Sequence, residues 1–311
     1  MPSSITKRPD GIASAWIFSD GVVNSFVSMK VRIGIITRNR ADVLPKALES
    51  ALGQNYPNKQ IAVYDIASTD ATPQIRNRFP QVEWRRSETR LDMISPKNDL
   101  MRNTDADFYF SLDDDAWFLA PDQLTIGVDW MKQNPKVAIL AYDILLPDMK
   151  SSPVMGEPKE ANVFVACGAL LRRSALEKVG YYDACPAIYG GGEETDLCLK
   201  LMDAGYIIQS WPGLHIWHER TQTGRDSFDQ HRSSVCNQLA YLVLRCPALI
   251  LTGYLPWKIF RHFLNSLPRG RLKSCTQGMV MFLKSTPVLI HARAPVSHQT
   301  YLKWLRLNHA S

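Results

Sequence analysis

Phe108-Tyr109-Phe110-Ser111-Leu112-Asp113-Asp114-Asp115 is the stretch on which the fold turns. Its aromatic and apolar run has the composition of a buried strand, and the run stops at three carboxylates because Asp is depleted from strands. Adjacent acids repel one another unless a cation or hydrogen-bond donors neutralise them. Just past the carboxyl end of a strand, they stand where open α/β sheets bind ligands. The competing reading is a solvated acidic turn that caps a helix near Pro121-Asp122. The triplet alone does not choose between them, and the flanking sequence has to.

Toward the N-terminus, Val31–Thr37 is a β-rich run followed by a helical pattern through Leu44 and Leu52. Ile61–Asp65 reads as a second strand, and Ser68-Thr69-Asp70-Ala71-Thr72 supplies capping residues for a short helix. Val82-Glu83-Trp84 suggests a third strand and Ser95–Arg102 a third helix. Strands that alternate with helices predict a mostly parallel sheet with crossover helices. Three strands then end in polar groups: Thr37-Arg38-Asn39, Asp65 and Asp113-Asp114-Asp115. Parallel strands bring such ends to one edge, which favours a nucleotide site. For Asp65 taken alone, a turn or cap role is the simpler reading. Neither G-x-G-x-x-G nor G-x-x-x-x-G-K-[ST] occurs, which disfavours a dinucleotide fold or a P-loop.

Toward the C-terminus, Val137–Leu146 reads as a strand and Pro147–Glu160 as a loop. Asn162–Leu171 is apolar again, and Cys167-Gly168-Ala169 lets something approach the backbone closely. Arg173–Val179 reads as a helix stopped by Gly180. Tyr189-Gly190-Gly191-Gly192 leads into a helix that carries Glu193, Glu194 and Asp196 in its first turn. Acids there are favoured by the helix dipole, and that structural role suffices for one or two of them. A Gly-rich approach also suggests a pocket wall where one carboxylate acts as general base. Trp211–Arg220 is strand-like and holds His215 and His218; a histidine after two acidic clusters is a candidate metal ligand.

The 311 residues allow one large domain or two modest ones, and 45% hydrophobic content is ample for a core. The net charge of +6 conceals an asymmetry: no Asp or Glu follows Asp229, while eleven Lys and Arg do. The preceding part carries 25 basic against 30 acidic residues. Such a split suggests a catalytic body with a basic appendage that meets an anionic surface or substrate. Six cysteines without a C-x-x-C pair indicate neither a zinc cluster nor a disulfide framework. A reducing cytoplasm is the simplest location, and no apolar run suffices for a spanning helix. The expected organisation is a loosely ordered leader (1–29), an α/β body (30–229) and a basic, mostly helical extension (230–311). Trp257, Phe260, Phe263 and Leu264 interleave with its basic residues, which predicts amphipathic helices on an anionic membrane surface. Plain packing of these helices on the body competes evenly. No nucleic-acid module is present.

The ordered set of motifs resembles a family 2 glycosyltransferase of the GT-A fold, over roughly Val31 to His231. Tyr64-Asp65-Ile66-Ala67-Ser68-Thr69-Asp70-Ala71-Thr72 is similar to the family's V-D-N-x-S-x-D-x-T segment, with Ile66 in place of Asn. Pro96-Lys97-Asn98 resembles the helix before the acidic motif, with Lys97 in place of Arg. Leu112-Asp113-Asp114-Asp115 resembles the D-x-D motif. Ala166–Arg173 and Glu193–Lys200 resemble the acceptor region, and Trp217-His218-Glu219 fits a rhamnosyltransferase-like bacterial branch.

The resemblance implies that Thr37, Arg38, Asn39, Asp65, Lys97, Asn98, Asp113 and Asp114 bind a nucleotide diphosphate sugar. It implies a divalent metal, Mn²⁺ or Mg²⁺, on Asp115, Asp113 and His218, with Asp115 as the direct ligand. Glu194 would be the catalytic base with Glu193 beside it; the family's second acid is usually Asp, so the choice between the two stays open. Gly168, Gly192 and Asp196 would lie on the acceptor side. The implied reaction is an inverting, hexosyltransferase-type transfer to a saccharide or lipid-linked acceptor in envelope polysaccharide or glycolipid synthesis. Two other readings compete: a nucleotidyltransferase-like enzyme, against which the lack of glycines in Thr37-Arg38-Asn39-Arg40 counts, and an inactive sugar-nucleotide-binding module.

Overall fold

The computed structural model describes residues 28–149, 155–183, 192–220 and 227–308. Most of the expected leader, and Tyr189-Gly190-Gly191, lie outside the described residues. In chain order the elements are β1 (Val31–Thr37), α1 (Leu44–Leu52), β2 (Lys59–Ile66), a 3₁₀ segment (Thr72–Arg78), β3 (Glu83–Ser87), α2 (Ile94–Arg102), β4 (Phe108–Asp113), β5 (Ala116–Phe118) and α3 (Gln123–Gln133). They continue with β6 (Val137–Leu145), β7 (Lys159–Glu160), β8 (Gly168–Arg172), α4 (Arg173–Val179), α5 (Glu193–Asp203), β9 (Ile207–His218), α6 (Ser227–Arg245), α7 (Ala248–Ser266), α8 (Leu272–His291) and α9 (His298–Asn308).

The strands form one mixed sheet in the order β3-β2-β1-β4-β8-β6-β9-β5, with β7 also on β9. β3, β2, β1 and β4 are parallel, so their carboxyl ends share an edge. Thr37 stands opposite Asp65, and Ile36 opposite Asp113. Every residue of β1 is buried, as expected for a strand covered on both faces. One core layer gathers Ile33, Ile35, Leu48, Phe110 and Leu140; the other gathers Ile36, Leu100, Tyr109, Leu171 and Leu197. Polarity reverses at β8, which runs antiparallel to both β4 and β6.

Two sequence expectations are adjusted. The apolar run from Asn162 joins the sheet only at Gly168, where pairing with Leu112 begins. Lys159–Glu160, expected in a loop, pairs with Gln209 and Ser210 of β9, whose edge has free backbone groups there.

The C-terminal helices pack on the body and on each other. α6 and α8 share a core of Val235, Leu239, Val243, Cys275 and Phe282. α9 is fastened by Trp304, whose indole N–H donates to the Asn162 carbonyl at 2.9 Å, and by the Ser297 amide, which donates to Asp203 at 3.0 Å. Among the described residues no helix is long and apolar enough to cross a membrane. One face of α7 nevertheless stays exposed at Trp257, Phe260 and Leu264, continued by Leu267 just past its end.

Candidate active site

Strand register builds the acidic centre. β4 ends at Asp113, and the chain turns through Asp114 and Asp115 into β5. β5 pairs antiparallel with β9 so that Ala116 faces His218, which seats the imidazole beside the preceding aspartate. His218 Nε2 lies 3.1 Å from Asp115 Oδ1 and 3.9 Å from Asp113 Oδ2. This nitrogen is buried, with no hydrogen-bond partner among the described residues. On the other flank, β8 pairs Gly168 with Leu112 and so brings Cys167 next to Asp113. Ligand atoms of Asp113, Cys167 and His218 lie within 4.8 Å of one another.

Two carboxylates and an imidazole suit hard divalent cations such as Mn²⁺ or Mg²⁺. Ligands at ~2.1 Å on adjacent octahedral positions stand ~3 Å apart, so the His218–Asp115 separation fits a shared ion. Cys167 is of another character. Burial, then the charges of Asp113, Asp115 and Glu194, push its thiol upward, which keeps it protonated as a neutral wall. Asp114 turns from this cluster toward Arg40, 3.6 Å away. Burial and the charge of Asp113 raise its carboxyl to about 7, against the Thr37 hydroxyl and Arg40.

The β1–α1 turn is held by the segment after β2. The Asn39 amide donates to Ser68 Oγ at 2.9 Å, and the Thr69 amide donates to Asn39 Oδ1 at 2.8 Å. The Arg40 amide donates to Thr72 Oγ1 at 2.8 Å, and Asp70 accepts from the Thr72 amide at 2.9 Å. Asn39 adopts φ of 55°, which Asn tolerates better than most residues. Thr37 is buried at the strand end, and Arg38 is exposed beside it. Asp65 accepts from the Ser68 amide at 2.9 Å and forms an ion pair with Arg86. Sequence reading missed Arg86; its signal is the parallel register that places it opposite Asp65.

The second acidic cluster approaches from α5. Gly192 precedes the helix at φ of 90°, and a Cβ there would stand 2.9 Å from the Tyr241 ring, so glycine is required twice over. Glu193 is buried, 3.5 Å from the equally buried Lys97 of α2. Burial alone would lower the Lys97 ammonium; Glu193, Glu194 and Asp113 outweigh it and hold the group above its ordinary value. Glu194 is partly exposed. Burial first, and then the charge of Glu193, raise its carboxyl to about 7, with Lys97 in opposition. Asp113 is among the charges that raise it, so the two acidic clusters lie within electrostatic reach of each other.

Three expected site residues are committed elsewhere. Asn98 spends both ends of its carboxamide on the Tyr182 backbone, at 2.8 and 3.1 Å. Asp196 is buried against Arg245, whose Nε donates to it at 2.6 Å. At Gly168 the close approach comes from within the protein, since a Cβ would meet Ile216 at 2.7 Å and Ile144 at 3.0 Å.

Residues 32–144 match the family model described as glycosyl transferase family 2. The match covers little more than a third of the chain, and the mixed sheet flanked by helices is that of GT-A glycosyltransferase structures. An uncharacterised protein of Sinorhizobium fredii, y4gI, is 25% identical to this chain over 256 residues, which is 69% of the chain and 27% of that protein. The succinoglycan biosynthesis protein ExoM of Rhizobium meliloti is 26% identical over 221 residues, 64% of the chain and 70% of ExoM. The chain therefore spans about a quarter of the first relative and more than two thirds of the second. Among solved structures, the mannosyltransferase PcManGT from Pyrobaculum calidifontis, in complex with GDP-Man and Mn²⁺, superposes with a TM-score of 0.58 at 16% identity, covering 92% of this chain and 81% of that one.

Proposed function

We propose that the protein is an inverting, metal-dependent glycosyltransferase of hexosyltransferase type. It moves a sugar from a nucleotide diphosphate sugar to a hydroxyl of a saccharide or lipid-linked acceptor during polysaccharide assembly. One observation carries this reading: His218 comes within 3.1 Å of Asp115 and 3.9 Å of Asp113, with the raised carboxyl of Glu194 in electrostatic reach of Asp113. The name of the related ExoM supports the polysaccharide context, and the donor and Mn²⁺ bound by PcManGT support the choice of substrate and ion.

In this reading Asp115, Asp113 and His218 hold the ion, which when bound supplies Lewis-acid stabilisation of the departing diphosphate. The β1–α1 turn, with Thr37, Arg38 and Asn39, and the buried Asp65 frame the nucleoside. Glu194 takes the proton of the acceptor hydroxyl as its oxygen bonds to the anomeric carbon and the carbon–phosphate oxygen bond breaks. A single displacement inverts the centre. Glu193, paired with Lys97, is the neighbouring charge that helps raise the Glu194 carboxyl to about 7, where it can accept a proton near neutrality. The exposed apolar stripe of α7, flanked by basic residues, supports peripheral contact with an anionic membrane.

The reading is tested by release of nucleoside diphosphate from a panel of donor sugars, with Mn²⁺ or with chelator. Asp115→Ala abolishes the Mn²⁺-dependent release and leaves the thermal melt of the metal-free protein in place. Glu194→Gln retains donor binding and loses ~10²–10⁴-fold in turnover. Pyrophosphate in place of nucleoside diphosphate would move the protein to nucleotidyl transfer, and a dead Glu193→Gln beside an active Glu194→Gln would move the base by one residue.

A further inference from the structure

A second polar cleft of about 260 Å³ opens between α6 and α7. Lys258, Arg261, His262 and Arg269 line it from α7 and the turn beyond, and His231 lines it from α6. None of its lining residues is a carboxylate, and the chain holds none after Asp229. Two polar atoms of the lining are buried with no hydrogen-bond partner among the described residues: Ser266 Oγ, on a residue 1% exposed, and His262 Nε2. A buried hydroxyl left unpaired costs free energy unless a ligand or water satisfies it. Burial first, and then Lys258, His231 and Arg261, push the His262 imidazole down to about 4, and Lys258 is lowered too. In both, burial is the larger cause and the neighbouring positive groups the smaller.

We propose that this cleft binds a phosphate group, at a site separate from the Asp113–His218 cluster. Arginine and lysine donors over an uncharged histidine and a buried hydroxyl form the donor set that phosphate oxygens take. A volume of 260 Å³ admits a phosphate or a diphosphate, since a water occupies only ~30 Å³. The source is the head group of a lipid. Trp257, Phe260 and Leu264 recur at helical spacing on the adjoining face of α7, continued by Leu267 at its C-terminal cap, all exposed, where acyl chains would lie while the phosphate sits in the cleft. Arg261 joins the two faces, its guanidinium 5.0 Å from the Trp257 ring.

The test uses the full chain without added divalent metal. Binding to phosphatidylcholine vesicles with and without phosphatidic acid is measured by co-sedimentation, and binding of inorganic pyrophosphate by calorimetry. Arg261→Gln/Arg269→Gln is compared with Lys284→Gln/Arg306→Gln, which removes the same charge from α8 and α9. The cleft double is expected to lose about tenfold more affinity than the control double for phosphatidic acid vesicles. Equal losses in the two doubles would reduce the effect to general surface charge and overturn the site, as would a wild-type chain that binds neither probe. Pyrophosphate binding that only the cleft double loses, without vesicle binding, keeps the phosphate site and transfers it to a soluble ligand. Turnover with a soluble acceptor is followed in parallel; the cleft double retains it, so this inference and the glycosyl-transfer reading fail separately.

Discussion

At Glu194 burial first, and then the charge of Glu193, raise one carboxyl to about 7 against the opposing pull of Lys97 and of the backbone at the helix start. Below that value the proposed base is protonated, so kcat/KM is expected to rise about tenfold per pH unit up to about 7 and then level off. Glu194→Gln should abolish this limb along with activity. The same group opposes stability as pH increases. Between the ordinary 4.5 and about 7 the folded protein keeps a proton that the unfolded chain has released, so stability falls with rising pH across that window. Thermal melts of wild type and Glu194→Gln across pH 4 to 8 check the sign, because the substitution removes that part of the fall. The residue types were legible in the chain, and the choice between Glu193 and Glu194 was not. Both occupy the first turn of one helix, and only the 3.5 Å approach of Lys97 to Glu193 separates a paired carboxylate from its neighbour.

Elements place the metal-ligand candidates through register. β9 reaches Asp115 because its end pairs with β5, and it lies close under β8 because residue 168 has no side chain. Gly168→Ala would drive a methyl into Ile216, two residues before His218, and Ile216 cannot retreat without moving β9. The expected cost is ~1–3 kcal/mol of stability, read by urea unfolding, with weaker Mn²⁺ binding read by calorimetry. A variant with normal stability and metal affinity would refute this account. From sequence, Gly168 marked a close approach but not its partner. Cys167 carried no signal as a site residue, because its nearness to Asp113 follows from antiparallel pairing of β4 with β8, some sixty residues apart in the chain.

Across the whole molecule, a buried arginine is one of the ties between the C-terminal helices, which carry no acid after Asp229, and the α/β body. Arg245 at the end of α6 pairs with Asp196 of α5 and with Asp183, and donates to the Ala294 carbonyl at 3.0 Å. Arg245→Ala leaves Asp196 buried without its main partner and is expected to cost ~3–5 kcal/mol, measured by chemical denaturation. All four C-terminal helices contribute to packed clusters, while α7 leaves Trp257, Phe260 and Leu264 exposed and α8 leaves Leu283 and Ile290 exposed.

By itself the sequence determined the alternation of strands and helices, the acidic end of β4, the acidic first turn of α5 and the charge split between body and tail. These are local properties, set by composition and periodicity within a few residues. The tertiary structure alone decided that Arg86 meets Asp65, that Arg245 takes Asp196, that Tyr182 occupies Asn98, and that His218 comes within 3.1 Å of Asp115. Each of these depends on strand register and helix docking between distant segments. The opening triplet is divided the same way: Asp113 and Asp115 lean toward His218 and Asp114 toward Arg40, a split that three identical letters cannot encode.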